Sequence, residues 1–218
     1  MQSSPTPTPA PFAFPREYFF PPFFTRQTNL TTHHAQLVKW ASLVLSYCRH
    51  HRIFKLSLSG QSPTTTTTTT TASTTTPTTN LLDATTPSST TSDELFHNRK
   101  LNRKLSLADV REVIDFLRKD GRAEYVGGGS SGKDSGDVAW VYWRTPEEWA
   151  ALIEAWVDET GQKGTVLTLY ELTQGDATRG AEFHGLDPEL LQKALGTLVK
   201  RQKAQIFGHE DSQGVKFF

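Results

Sequence analysis

Apolar side chains recur along this chain with two periods, and the switches between them lay out its elements. Leu37, Trp40, Ala41, Val44, Leu45 and Cys48 fall at i, i+3, i+4, i+7, i+8 and i+11, on one face of a helix. Residues 54–58 then alternate apolar and polar, the two-residue period of a strand. Residues 94–103 suit a short helix. Ser106 to Asp109 is a capping-box pattern, with serine at the cap and an acid three residues on. It opens a helix whose inner face is Val110, Val113, Ile114 and Leu117, and Gly121 stands where a left-handed stop is wanted. A short strand at 122–126, a glycine-rich turn and a strong strand at 138–143 follow.

A second segment repeats this order. Thr145-Pro146-Glu147-Glu148 is a capping box with proline at the first helical position. Trp149, Leu152, Ile153, Trp156 and Val157 mark a buried face that ends at Gly161. On that reading Trp156→Ala should cost about 3–5 kcal/mol. Residues 165–167 predict a short strand. Thr168 and Glu171 cap a short helix that stops near Gly175. Asp187 and Pro188 cap a third helix with Leu191, Ala194, Leu195 and Leu198 inward, and 204–207 with 215–218 predict a terminal hairpin. Both segments thus run helix, strand, helix, helix, strand, strand. That is the order of a three-helix core with a β-hairpin wing, so the predicted fold class is α+β with two tandem winged-helix domains, 30–144 and 145–218.

Two stretches carry neither period. Residues 62–92 are almost entirely Thr, Ser and Pro. They cannot bury enough apolar surface to offset an ordering entropy of about 1–2 kcal/mol per residue, and predict a floppy insertion in a surface loop of the first domain. Residues 1–29 read as a disordered leader that carries FAFPREYFFPPFFT, seven aromatics between Phe12 and Phe24 separated by prolines. Proline opposes helix and favours an extended path. Burial of each Phe is worth about 1.5–3 kcal/mol, so the segment should dock rather than stay in water. The expectation is a groove on a partner rather than the chain's own body.

Composition narrows the chemistry. Lys and Arg number 23 and Asp and Glu 23, a balance that disfavours a dedicated nucleic-acid binder. The alternative of a winged-helix nucleic-acid-binding protein of transcription is weakened further by Asp109, Glu112 and Asp115, acids on the helix that would enter the groove. The single cysteine, Cys48, permits no intrachain disulfide. The first residues lack the basic start and apolar core of a secretory signal, and no stretch is long enough to span a bilayer, so a cytoplasmic or nuclear protein is expected. Gly127, Gly132 and Lys133 have phosphate-loop spacing, but Asp134 replaces the required hydroxyl and a strand follows where a helix should. The pairs His33-His34 and His50-His51 lack chelating geometry on a helix. No catalytic constellation, metal site or cofactor is expected. Arg99, Lys100, Arg103 and Lys104 form a basic cluster that fits contact with nucleic acid, with an acidic partner or with lipid, or an ordinary solvated face.

Several rare strings carry a resemblance. They are YFFPPFFT at 18–25, HAQLVKWASLVLSYCRHH at 34–51, WRTPEEWAALIEAWV at 143–157, TLYELTQG, EFHGLD and the terminal GVKFF. Over 12–58 and 95–218 the chain resembles the small winged-helix subunit of the ESCRT-II complex, the vacuolar protein sorting-associated protein 25 family. The Thr tract and the first eleven residues depart from it, as does Phe24, which stands for the tyrosine of a PPxY-like motif. The resemblance implies a non-enzymatic adaptor. Two copies would join one copy each of two larger winged-helix subunits in a hetero-tetramer. Pro21-Pro22-Phe23-Phe24, with Tyr18 beside it, would be the partner-binding residues that anchor each copy. Domain 145–218 would bind a helix of an ESCRT-III subunit. The setting would be the endosome membrane, where ubiquitinated cargo enters multivesicular bodies, with no direct membrane insertion and no nucleic acid bound by this chain.

Overall fold

The computed structural model describes residues 11–59, 91–127, 136–208 and 213–218, which fall into two units, Met1–Val141 and Tyr142–Phe218. The threonine-rich insertion, save its last two residues, and most of the 127–133 loop lie outside the described residues.

In the first unit, α1 (Leu30–His51) opens at Asn29, whose side chain accepts from the backbone N–H of Thr31 and Thr32. Two of the four orphan donors of the helix end are satisfied that way. β1 (Lys55–Ser57), α2 (Thr91–Phe96) and a two-residue hairpin, β2 (His97–Asn98) with β3 (Arg103–Lys104), follow. α3 (Leu107–Lys119) is capped by Ser106, buries Val110, Val113, Ile114 and Leu117 as their spacing requires, and is followed by Gly121 at φ 68°. β4 (Ala123–Tyr125) and β5 (Val138–Val141) complete a three-stranded antiparallel sheet with β5 at its centre. Leu56 pairs with Ala139 and Ala123 with Val141, and all four are buried.

The expected helix at 94–103 is corrected. Helix ends at Phe96 and the basic stretch turns through a hairpin. Asn98 makes the turn: its side-chain oxygen accepts from Leu101 N–H at 3.1 Å, and Asn102 adopts φ 49°. Asparagine tolerates that left-handed geometry and competes for backbone hydrogen bonds, so it breaks the helix expected over 94–103.

The second unit contains α4 (Pro146–Glu159), β6 (Val166–Thr168), α5 (Leu169–Gln174), α6 (Pro188–Lys200), β7 (Ala204–Phe207) and β8 (Gly214–Phe217). β8 lies between β6 and β7, antiparallel to both. Both predicted capping boxes form, Thr145 with Glu148 and Thr168 with Glu171. α4 packs on α6 through Trp149, Ala150, Ile153 and Val157 against Leu190, Leu191, Ala194, Leu195 and Leu198. Trp156 and Leu152, placed in this core from their spacing, are only half-buried. Ala150 supplies the close-packed stripe beside Trp149, and Trp156 turns edge-on to Phe183, 5.6 Å away. No helix among the described residues is long and apolar enough to cross a membrane.

Candidate functional site

The proline-aromatic segment is not extended. It folds into two 3-10 turns, Arg16–Phe19 and Pro21–Phe24, closed by backbone bonds such as Tyr18 N–H to Pro15 O (3.0 Å) and Phe23 N–H to Phe20 O (2.9 Å). Proline fits such turns because its fixed φ matches them and the first residues need no donor. The turns fold the leader back along α1. Phe23 stacks flat on Trp40 with centroids 4.4 Å apart and planes within 6°, and Phe24 meets the same indole edge-on at 5.3 Å. Trp40 Nε1 donates to Phe23 O at 3.0 Å, and Gln36 donates to Phe23 O and Thr25 O at 2.8 and 2.9 Å. Upstream, Phe14 stacks on Tyr18 at 4.0 Å and Phe12 sits edge-on to Tyr47 at 5.1 Å. Two expectations are therefore overturned. Residues 11–29 are ordered, and the chain shelters Tyr18, Phe23 and Phe24 within its own body, at 4, 6 and 6 % exposure. The reason is Trp40. Its flat face lies outside the helix–helix contact and supplies the stacking surface for which a partner was invoked.

What the segment leaves outside is a different set. Pro21 and Pro22 are exposed, and Phe19 and Phe20 expose 46 and 60 % of their surface. The five predicted residues are thus brought together on one short stretch, with two facing out and three holding it down. Phe19 and Phe20 were missed as candidates because the motif was read as a string. Phe19 ends the first turn and Phe20 is the extended residue that joins it to the second, positions that the string alone does not distinguish.

The β2–β3 hairpin clasps this segment. Asn98 Nδ2 donates to Tyr18 O at 2.7 Å, and Tyr18 Oη donates to Glu94 O. Tyr47 Oη donates to the Glu94 carboxylate at 3.2 Å. Burial, and then the charges of Glu94 and Asp93, push the Tyr18 phenol well above its ordinary range, and burial with Glu94 does the same to Tyr47. A group whose pKa rises on docking holds the docked state fully below its free value of 10.0, and loses that contribution as pH climbs beyond it. The leader is therefore expected to detach above about pH 10. Tyrosinate absorbance and Trp40 fluorescence should change together there, and less steeply in Tyr18→Phe. Ionisation of Tyr18 at its ordinary pKa with the leader still in place would contradict this account.

Other sequence candidates resolve locally. His33 Nε2 lies 2.9 Å from Glu112 Oε1, which Arg26 also reaches through its partner oxygen at 3.1 Å, while His34 faces Phe116 at 5.5 Å. The pair thus diverges, as adjacent helical residues do. Cys48 is fully buried, and burial pushes its thiol pKa far up. No group of three metal-ligating side chains occurs among the described residues.

The second unit carries a groove of about 400 Å³ beside α4. Its floor is Leu152, Trp156 and Phe183, and Glu159 and Glu182 are its charged lining residues, with no cation among them. Glu182 is held by Arg144 at 2.6 Å. An apolar floor with an acidic rim suits a basic amphipathic segment.

Comparison with known sequences decides the family. The family described as ESCRT-II complex subunit matches residues 17–187. The chain belongs to the ESCRT-II subunit family. Within it, the chain is similar to vacuolar protein-sorting-associated protein 25 of Xenopus laevis, 39% identical over 209 residues covering 95% of this chain and 99% of the relative. The Homo sapiens protein of that name is 39% identical, covering 95% and 98%, and the Dictyostelium discoideum one 34%, covering 95% and 96%. Among solved structures, a crystal structure of subunit VPS25 of the endosomal trafficking complex ESCRT-II superposes with TM-score 0.71, covers 94% of this chain and 98% of that one, and at 24% identity shares the fold. A chain in the crystal structure of endosomal complex ESCRT-II (VPS22/VPS25/VPS36) matches at TM-score 0.70 and 26% identity, covering 93% and 98%. An ESCRT-II subunit is a component of a larger assembly, so its exposed apolar surfaces are the places to seek its function.

Proposed function

We propose that this chain is an adaptor of two tandem winged-helix domains, about 30–144 and 145–218, that joins the larger ESCRT-II subunits to a helix of an ESCRT-III subunit at the endosome. The winged-helix reading is supported by the shared element order of the two units and by sheets in which the last strand added is central in both. Adaptor function is supported by similarity to proteins named vacuolar protein-sorting-associated protein 25 and by the solved ESCRT-II complexes that contain VPS22 and VPS36 beside VPS25. Work on ubiquitinated cargo, two copies per assembly and recruitment from the cytoplasm to endosomes belong to the same proposal.

The observation that carries the anchor is an aromatic and proline ridge, Phe19 to Pro22, standing outward on a segment locked from below by Phe23, Phe24 and Tyr18. A ridge ordered in advance costs less to immobilise, and exposed rings are efficient contact points. Pro21 and Pro22 touch the partner, while Tyr18, Phe23 and Phe24 serve it by fixing the ridge. The acidic groove beside Trp156 receives the ESCRT-III helix.

The test is co-purification of the full chain with the larger subunits. Phe20→Asp should weaken assembly by about 2 kcal/mol or more, roughly thirty-fold, without lowering thermal stability. Full assembly of this variant would remove the anchor. Phe23→Ala and Phe24→Ala are poor probes, because loss of either also loosens the fold.

A further inference from the structure

Ring packing holds the proline-aromatic segment down, but a separate set of side-chain donors holds its carbonyl oxygens. Gln36, one turn before Trp40 on α1, brings its amide nitrogen to 2.8 Å from Phe23 O, 2.9 Å from Thr25 O and 3.3 Å from Pro22 O. Gln27, just past the turn, donates to Thr25 O at 2.8 Å and to Pro22 O at 3.0 Å. Thr25 N–H adds a bond to Pro22 O at 3.1 Å, and Trp40 Nε1 one to Phe23 O at 3.0 Å. Two hydrogens on each amide, with one on the indole and one on Thr25 N, suffice for both lone pairs of all three oxygens.

These donors bear on the path of the chain. A proline pair in water favours an extended course with its carbonyls turned to solvent. Here Pro21 and Pro22 open a 3-10 turn instead. The turn brings the carbonyls of Pro22, Phe23 and Thr25 within reach of one amide on α1. Phe20, Pro21 and Pro22 then face solvent.

We propose that Gln36, assisted by Gln27, is a positioning residue of the anchor: it selects the turn over the extended path and so presents the Phe20–Pro22 ridge ready-shaped to a larger ESCRT-II subunit, without touching that subunit itself. This rests on the anchor reading above and adds the residues that give the anchor its shape. Stacking on Trp40 holds the rings of Phe23 and Phe24, but rings alone do not set the direction of the peptide planes before them. Fixing those planes in advance lowers the entropy lost on assembly.

The experiment measures Kd of the full chain for the two larger subunits together, beside a thermal melt of each variant. Gln36→Met keeps the length of the side chain and removes its donors. It should weaken assembly about ten-fold. Water reaches these partly exposed oxygens once the donors are gone, so the melting temperature should stay close to that of the parent chain. Gln36→Lys restores a donor within reach of the same oxygens and should recover most of the affinity. Gln27→Met, on the half-buried leader and outside the core, should weaken assembly about three-fold. Unchanged Kd in both Met variants while Phe20→Asp still weakens assembly would remove the positioning role and leave the anchor standing. A silent Phe20→Asp would take both away. Tighter assembly in Gln36→Met would mean that the amides hold the segment back from its partner, the opposite of the proposal. Affinity that falls only in step with melting temperature, with no recovery in Gln36→Lys, would make the amide a contact of the fold alone and overturn it as well.

Discussion

Trp40→Ala is expected to destabilise the first unit by about 3–5 kcal/mol and to release the leader from it. The residue is 1 % exposed and stands between two layers. On one side it is part of the α1 core, close to Phe96 at 6.1 Å. On the other it is the platform for Phe23, Phe24 and Tyr18. Its removal leaves a cavity, exposes three rings and deletes the donor to Phe23 O. Gln36 still reaches that carbonyl, so the hydrogen bond is the smaller part of the loss. Trp40→Phe keeps a stacking face and should cost about 1–2 kcal/mol less. Urea denaturation gives the energies, and limited trypsin cleavage at Arg16 and Arg26 reports release of the leader. A cost under about 1 kcal/mol for Trp40→Ala would mean that the leader contributes nothing to the fold.

The second large effect separates two tryptophans that the sequence placed on one face. Trp149→Ala should cost about 3–5 kcal/mol, because its ring is fully buried on α4 and packs edge-on to Trp143 at 5.0 Å. Trp156→Ala should cost only about 1–2 kcal/mol, since half-burial forfeits part of the transfer energy. Under the proposed function the order is the reverse: Trp156 forms the floor of the groove proposed for the ESCRT-III helix, so its loss should abolish capture of that helix. Trp149→Ala, where it folds at low temperature, should retain capture. Calorimetry of the full chain with the helix as titrant reads the second quantity and thermal melts the first. Equal stability losses in the two variants would refute this division of roles.

The sites were legible to different depths. Helix caps were readable because each depends on two or three neighbouring residues: Ser106, Thr145, Thr168 and Asp187 all cap as their local pattern requires. Asn29 also caps α1, without the downstream acid that marks a capping box. The inner faces of α3 and α6 were readable because one neighbouring layer covers each, so burial follows the helical period. The face of α1 was read too narrowly. Leu43 and Tyr47 are fully buried, and Leu37 and Leu45 only half, because the leader and α2 cover a second side of the helix. Periodicity contains no information about a strand of chain that returns from outside the repeat.

From its sequence alone the chain determined its caps, its main helices and strands apart from the β2–β3 hairpin, and the strings that place it with ESCRT-II subunits. Each of these is fixed by contacts short along the chain. Which rings of the proline-aromatic segment face inward was decided only by tertiary structure, through the free face of Trp40 and the clasp of Asn98 on Tyr18. The same holds for Trp156, which is half-buried and edge-on to Phe183 while Ala150 beside Trp149 is buried. Burial depends on what arrives from elsewhere, and a hydrophobic residue carries the same transfer energy whether its own body or a partner covers it.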